Sequence, residues 1–446
     1  MSHRPRTRDP IERSIESALR PGELISYGKS FSFVKALDQL AQQMDPLCDD
    51  DPERAAILFE TFLAGCYAKT HELNDSGGEL GNFMQRLCCH WVRARQSGGC
   101  PANDTVETLV HWIDADDYGY TYQIERDLAQ ALDDAGRIAF VQIARARFEQ
   151  ASQEAARSKG ELGGDASQRQ WADVLRALFQ AQNDAFSYIR LCQQMGMRSK
   201  DCLVIADIFH ALGEANQALS WVRRGLEISG RHDFATYDLE RRERTLLSEL
   251  GHPEEALTLA WKDFEASPGT ASYNELMRYV PEAERTRWHE RAMDRTANSD
   301  LRSAMDLYIE TRETTRLVDR LQSTTDQALM DESDYALSET AKYLKRPHPD
   351  VAARLFRAIA LQIVDEGKNK NYRSALSNLK QAKKCYEKAG LVDQWDSLVE
   401  DIRRRHHRKS SFMPKFEKIV QDEPTNDPSF LDAARKRWSS QRPRHS

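Results

Sequence analysis

No stretch of this 446-residue chain approaches the roughly 18 consecutive apolar residues that a membrane-spanning helix needs. A membrane partner is therefore not expected. Glycine and proline are scarce, at 21 and 15 residues, which leaves few positions able to break a helix. Runs of alternating β-branched residues are missing as well, so strands are not expected. The eight cysteines include no CxxC pair and no even spacing; they sit among Leu, Phe, Ile and Val, as small buried hydrophobes do. The basic start, "MSHRPRTRDP", lacks the apolar run of a secretory signal, and a cytoplasmic location is the expectation. GxSxG and HExxH are absent, and the scattered acids and histidines converge on no recognisable catalytic set. No catalytic residue, cofactor or metal is nominated, and the chain is read as non-enzymatic.

What is present favours helices. Ala, Leu, Glu, Gln and Arg dominate, and straight side chains lose little rotamer freedom in a helix. Charged residues make up 30% with a net −7. Nearly every segment between breakers has apolar residues at i, i+3, i+4 and i+7. In "ELGNFMQRLCCHWVRAR", for example, Leu80, Phe83, Met84, Leu87, Trp91 and Val92 form one stripe.

The central block repeats. "ALGEANQALSWVRRGLEIS" from Ala211 aligns without gaps on "ELGHPEEALTLAWKDFEAS" from Glu249, sharing Gly213/Gly251, Ala218/Ala256 and Glu227/Glu265. A weaker copy, "ALFQAQNDAFSYIRLCQQ", starts at Ala177. The pattern describes a helix ending at a Gly turn and a second helix with a small Ala where two backbones approach. It resembles a degenerate tetratricopeptide repeat, whose helix pairs must stack to cover their apolar faces. The expected fold is an all-α, tetratricopeptide-like helical-repeat solenoid. The expected organisation is an N-terminal helical block over 1–157, repeats over 168–300, a C-terminal helical block over 301–420 and a polar tail over 421–446. The Gly-rich "SKGELGGDAS", Ser158 to Ser167, marks the first break.

Four local motifs have chemical readings. "DADDYGYTYQIE" places Asp114, Asp116, Gly119 and Glu125 at positions 1, 3, 6 and 12 of a calcium loop. Tyr118 at position 5 is a poor ligand, Thr121 replaces the usual apolar residue, and no sister loop exists. The adopted reading is a seam between two helices. "GELISYGKS" has five residues between its glycines where a phosphate loop has four, and no buried strand precedes it. "NDSGGEL" has Ser76 and Glu79 at capping-box spacing. Cys88, Cys89, His90 and Cys100 lack structural zinc spacing and read as helix residues.

One charge feature remains. From Glu366 to Lys418 there are 14 Lys or Arg against 7 Asp or Glu. Its centre is "RRRHHRKSSF", with Lys380, Lys383, Lys384 and Lys388 on the preceding helix. Arg403, Arg404, Arg405, Arg408 and Lys409 are the candidate contacts to nucleic acid or an acidic partner.

The stretches "ALRPGELISYGKSFSFV", "NDSGGELG", "DADDYG", "EEALTLAWKDFEASPGTASYNELMRYVP" and "IRRRHHRKSSF" together resemble the helical region that follows the finger in bacterial SWIM zinc-finger proteins. Cys88 and His90 match one spacing of that finger, but no Cys-x-Cys exists, so zinc binding is not implied. The resemblance implies an all-helical scaffold with a link to nucleic-acid biology. The expected function is a scaffold for protein–protein interaction with an unidentified protein partner. The alternative is an accessory nucleic-acid-binding protein that uses the basic helices.

Overall fold

The computed structural model describes residues 9–20, 22, 24–116, 119–120, 124–157, 166–230 and 233–422. Among these the chain is all-α: helices follow one another from Pro10 to Val420, joined by short turns. Among the described residues the one β-type contact is an isolated bridge between Ile25 and Leu73. The chain divides into two compact units, Met1–Leu250 and Gly251–Ser446. That division falls inside the second repeat copy. Most of the expected break at Ser158–Ser167, and the tail beyond residue 422, lie outside the described residues.

In parts of both units, helices that follow one another in sequence also pack together, as stacked helical repeats require. In the first unit Ser199–Ala211 packs on Ala215–Ile228, which packs on Ala235–Glu249. In the second, Asp334–Leu344 packs on Pro349–Glu366, which packs on Tyr372–Ala389. One apolar core runs through the second unit from Ala260 to Ile419.

The repeat is built on a recurring turn. Helices ending at Ala211 and Glu249 are each followed, two residues on, by a glycine in the left-handed region, Gly213 at φ 80° and Gly251 at φ 83°. The next helix starts two residues later, at Ala215 and Pro253. Asn183 and Arg312 occupy the same place between Ala181 and Ala185 and between Glu310 and Thr314, with φ 53° and 63°. At Gly213 the turn N–H bonds to the His210 carbonyl and the following N–H to the Phe209 carbonyl, both at 2.9 Å. Asn183 and Arg312 are closed by the same pair of bonds, which satisfy carbonyls left over at a helix end. The repeat therefore recurs where no glycine announces it.

Ala218 and Ala256 are both fully buried, as the repeat register requires. One close approach between helices is at Gly225, in the last turn of Ala215–Ile228. A Cβ there would lie 2.8 Å from Leu239 Cδ2 and 3.0 Å from Cys202 Cβ, so helices on both sides close onto bare backbone.

Candidate functional site

The acidic stretch at 114–125 joins the helices Ala102–Asp114 and Glu125–Ala131. Asp114 Oδ2 accepts a hydrogen bond from Arg147 Nη2 at 2.8 Å, and Asp116 Oδ1 accepts one from the Gly119 N–H at 3.0 Å. Gly119 turns the chain at φ 75°. Burial pushes the Glu125 carboxyl above its ordinary range. The carboxylates at loop positions 1, 3 and 12 are thus engaged in an ion pair, a turn and a half-buried helix start. Tyr118 and Thr121 lie outside the described residues. Among those described, no three His, Cys, Asp or Glu side chains form a metal-binding group.

The other motifs are also structural. Gly28, Lys29 and Ser30 lie in the first turn of the helix Tyr27–Gln42, and the Ser30 hydroxyl donates to the Tyr27 carbonyl at 2.7 Å. A helix does start within "NDSGGEL", but at Glu79 rather than directly after Ser76, and its cap differs. Asp75 accepts from the Leu80 and Gly81 N–H groups at 2.9 and 3.1 Å, while the Ser76 hydroxyl donates to Asn74 Oδ1. A carboxylate reaches further than a serine hydroxyl and covers two free amides at once. Burial pushes the thiols of Cys88 and Cys89 up to about 12 and about 11, away from the thiolate that zinc needs.

A cavity of about 590 Å³ in the first unit is lined by Asp116, Glu125, Arg176, Tyr188, Arg198 and Asp201, among others. Asp201, 1% exposed, sits in the first turn of Ser199–Ala211. Its carboxylate accepts from the Arg198 backbone N–H at 3.0 Å, from Arg198 Nε and Nη2 at 3.0 and 3.1 Å, and from the Tyr188 hydroxyl at 3.5 Å. Arg176 Nε stands 3.4 Å away as an ion pair without hydrogen-bond alignment, and Arg176 Nη1 donates to Asp173 at 2.9 Å. Burial raises the Tyr188 hydroxyl and pushes the Cys192 thiol up to about 11, so neither is an activated nucleophile at neutral pH. The network braces three helices around a buried carboxylate. Nothing in the sequence marks Asp201 among the chain's 70 acids.

The structure separates the basic residues that the sequence grouped. Arg403 forms a two-bond pair with Glu417, at 2.9 and 2.6 Å, which holds that carboxyl below its ordinary range. Arg404 pairs with Asp401, and Arg405 with Asp365 and Asp401. Lys409 Nζ donates to the Val364 carbonyl. Of the five candidates, only the Arg408 side chain has no such partner among the described residues. Half-exposed pairs of this kind contribute at most about 1 kcal/mol each; their larger effect is to neutralise charge that phosphate would otherwise meet. His406 is 5% exposed, and burial lowers its pKa from 6.5. A depressed histidine supports the fold above its unfolded pKa and destabilises it as pH falls through the folded one. Acidification therefore strains this helix end before it adds charge at His406.

On the preceding helix, Lys383 is buried and donates to the Ile419 and Val420 carbonyls at 3.1 Å, closing the helix Met413–Val420. Lys384 and Lys388 instead join Lys342, Lys345 and Arg346 around a separate depression of about 450 Å³. Sequence reading found two of these five residues; the other three lie some 40 residues upstream.

At the other end of the chain, Leu24, Tyr27 and Phe31 are 71%, 61% and 64% exposed. Tyr27 and Phe31 are four residues apart on the Tyr27–Gln42 helix and share one face. Lys29 and Lys35 flank them, with no ion pair among the described residues.

No curated protein matches the chain. Among solved structures, human IFIT1 as a dimer with PPP-AAAA is 12% identical, with a TM-score of 0.21, over 91% of this chain and 99% of that one. The tetratricopeptide domain of P58(IPK) is 14% identical with a TM-score of 0.17, over 92% and 98%. Naa15/Naa10 bound to HypK-THB is 11% identical with a TM-score of 0.24, over 94% and 75%. Residues 11–415 match the model of a family of unknown function, DUF6880. Almost all of the described helical chain falls within that match, and the chain belongs to the DUF6880 family.

Proposed function

We propose that this chain is a non-enzymatic helical-repeat scaffold that binds another protein, and that the start of the Tyr27–Gln42 helix is its docking face. The observation that carries this reading is the exposed set of Leu24, Tyr27 and Phe31. Large apolar side chains grouped on one helical face mark an interaction surface, because each loses about 1.5–3 kcal/mol of transfer free energy by staying in water. The flanking Lys29 and Lys35 specify the partner's chemistry: a segment with apolar anchors bordered by carboxylates. The blocks read from sequence, 1–157, 168–300, 301–420 and a tail over 421–446, belong to this proposal. So do a cytoplasmic location and the kinship with SWIM zinc-finger proteins, which rests on the shared stretches quoted above. The nucleic-acid alternative is disfavoured because three of its five proposed contacts, Arg403, Arg404 and Arg405, already pair with carboxylates.

The test compares tagged wild-type chain with the Tyr27→Glu/Phe31→Glu variant in quantitative affinity purification from the host, read by mass spectrometry. Both replaced side chains are mostly exposed, so melting should be unchanged. Losing two anchors of about 2 kcal/mol each should reduce recovery of the specific partner at least tenfold. Equal recovery by both chains would remove the proposed face.

A further inference from the structure

Five of the seven residues that line the depression in the second unit are basic. Lys342, Lys345 and Arg346 come from the end of Asp334–Leu344, and Lys384 and Lys388 from the last turns of Tyr372–Ala389. No carboxylate lines it. Glu339 pairs with Lys342 at 2.7 Å. Each helix C-terminus brings about half a negative charge, so about +3 remains after these are counted against five cations.

The way Lys345 and Lys388 are held sets them apart from Arg403, Arg404 and Arg405, which pair with carboxylates. Lys345 Nζ donates to Gln381 Oε1 at 2.6 Å, and Lys388 Nζ to the Arg346 carbonyl at 3.1 Å. Neutral acceptors fix an ammonium group in place without cancelling its charge. The side chains of Arg346 and Lys384 have neither ion pair nor hydrogen bond among the described residues. Ordered positive groups beside two unpartnered ones form a partly preorganised anion site.

The geometry points to a small phosphate-bearing ligand, and we propose that this depression binds a phosphate monoester or diphosphate. The choice of anion follows from charge. A carboxylate would leave most of the excess uncompensated, whereas a phosphate monoester carries about −2 near neutral pH and a diphosphate more. Guanidinium and ammonium together supply the fork and the point charge that phosphate oxygens accept. The volume, about 450 Å³, suits a small ligand. A stacking platform for bases is missing: Cys385 is buried, and Tyr343 is half-buried with its hydroxyl bonded to Thr314 at 2.9 Å. The site recognises phosphate rather than a nucleobase. This inference is independent of the docking face in the first unit.

Calorimetric titration of the full chain with sodium pyrophosphate at low ionic strength tests it. Saturable binding at one site is expected, weakening as salt rises. The Arg346→Ala/Lys384→Ala variant should bind at least about tenfold more weakly with unchanged melting, since neither side chain makes an internal bond. Restoring the charge with Arg346→Lys beside native Lys384 should recover part of the affinity, and alanines at Arg403, Arg404 and Arg405 should leave it intact. Absence of saturable heat from the wild type, full retention by the double variant, or binding of a duplex oligonucleotide without binding of pyrophosphate would each overturn the assignment.

Discussion

Replacing Asp201 with alanine should destabilise the protein by about 3–5 kcal/mol, because it strands a buried guanidinium and removes a helix cap together. Arg176 is 9% exposed, and its other carboxylate partner, Asp173, is half in water. Without Asp201 the Arg176 Nε faces the interior uncompensated. The Arg198 backbone N–H and the Tyr188 hydroxyl lose an acceptor in the same step. Urea denaturation reads the effect as a lower midpoint with an unchanged slope. Asp201→Asn, which keeps an acceptor but not the charge, should fall between the two. The decisive comparison is the double variant Arg176→Met/Asp201→Leu, which removes both charges and should be more stable than Asp201→Ala. If the single alanine variant unfolds with the wild type, the buried network does not bind these helices together.

Gly225→Val should be the next most damaging change, at the upper end of the roughly 1–3 kcal/mol typical of overpacking. The added carbons meet Leu239 on one neighbouring helix and Cys202 on the other, so relaxation toward either side is obstructed. On an open helix face the same substitution would be close to neutral, since valine and glycine both form helices less readily than alanine. Thermal melting distinguishes these cases. A variant that melts with the wild type would mean that the two helices do not approach as closely as Gly225 implies.

The helical architecture was legible because it follows from period and composition, both local properties. Gly213 and Gly251 exposed the repeat because glycine adopts the left-handed region without strain. Arg312 makes the same turn and was illegible, since nothing about an arginine requires that conformation, while Asn183 was reached only through the weaker copy from Ala177. Gly225 carried no signal either; its role is set by side chains on two other helices. The basic cluster shows the limit most clearly. The charges of Arg403, Arg405 and Lys409 were visible, but their partners Glu417, Asp365 and Val364 are 14 to 45 residues away in sequence. Only the packed structure reveals that these groups meet. For the same reason Lys384 and Lys388 were noticed, but their grouping with Lys342, Lys345 and Arg346 was not.

Whether the arginine-rich helix end is an internal clasp or a phosphate contact decides between a protein and a nucleic-acid partner. The most direct measurement is fluorescence anisotropy of a labelled duplex oligonucleotide across a salt series. Wild-type chain would be compared with a variant carrying alanine at Arg403, Arg404, Arg405, Arg408 and Lys409. With four of those side chains engaged by Glu417, Asp401, Asp365 and the Val364 carbonyl, both proteins should show only weak, non-saturating association, with no saturable, salt-dependent component lost in the variant. A saturable wild-type affinity whose logarithm falls with log salt by about 0.9 per contact, abolished by the five substitutions, would contradict it and make these residues a nucleic-acid interface.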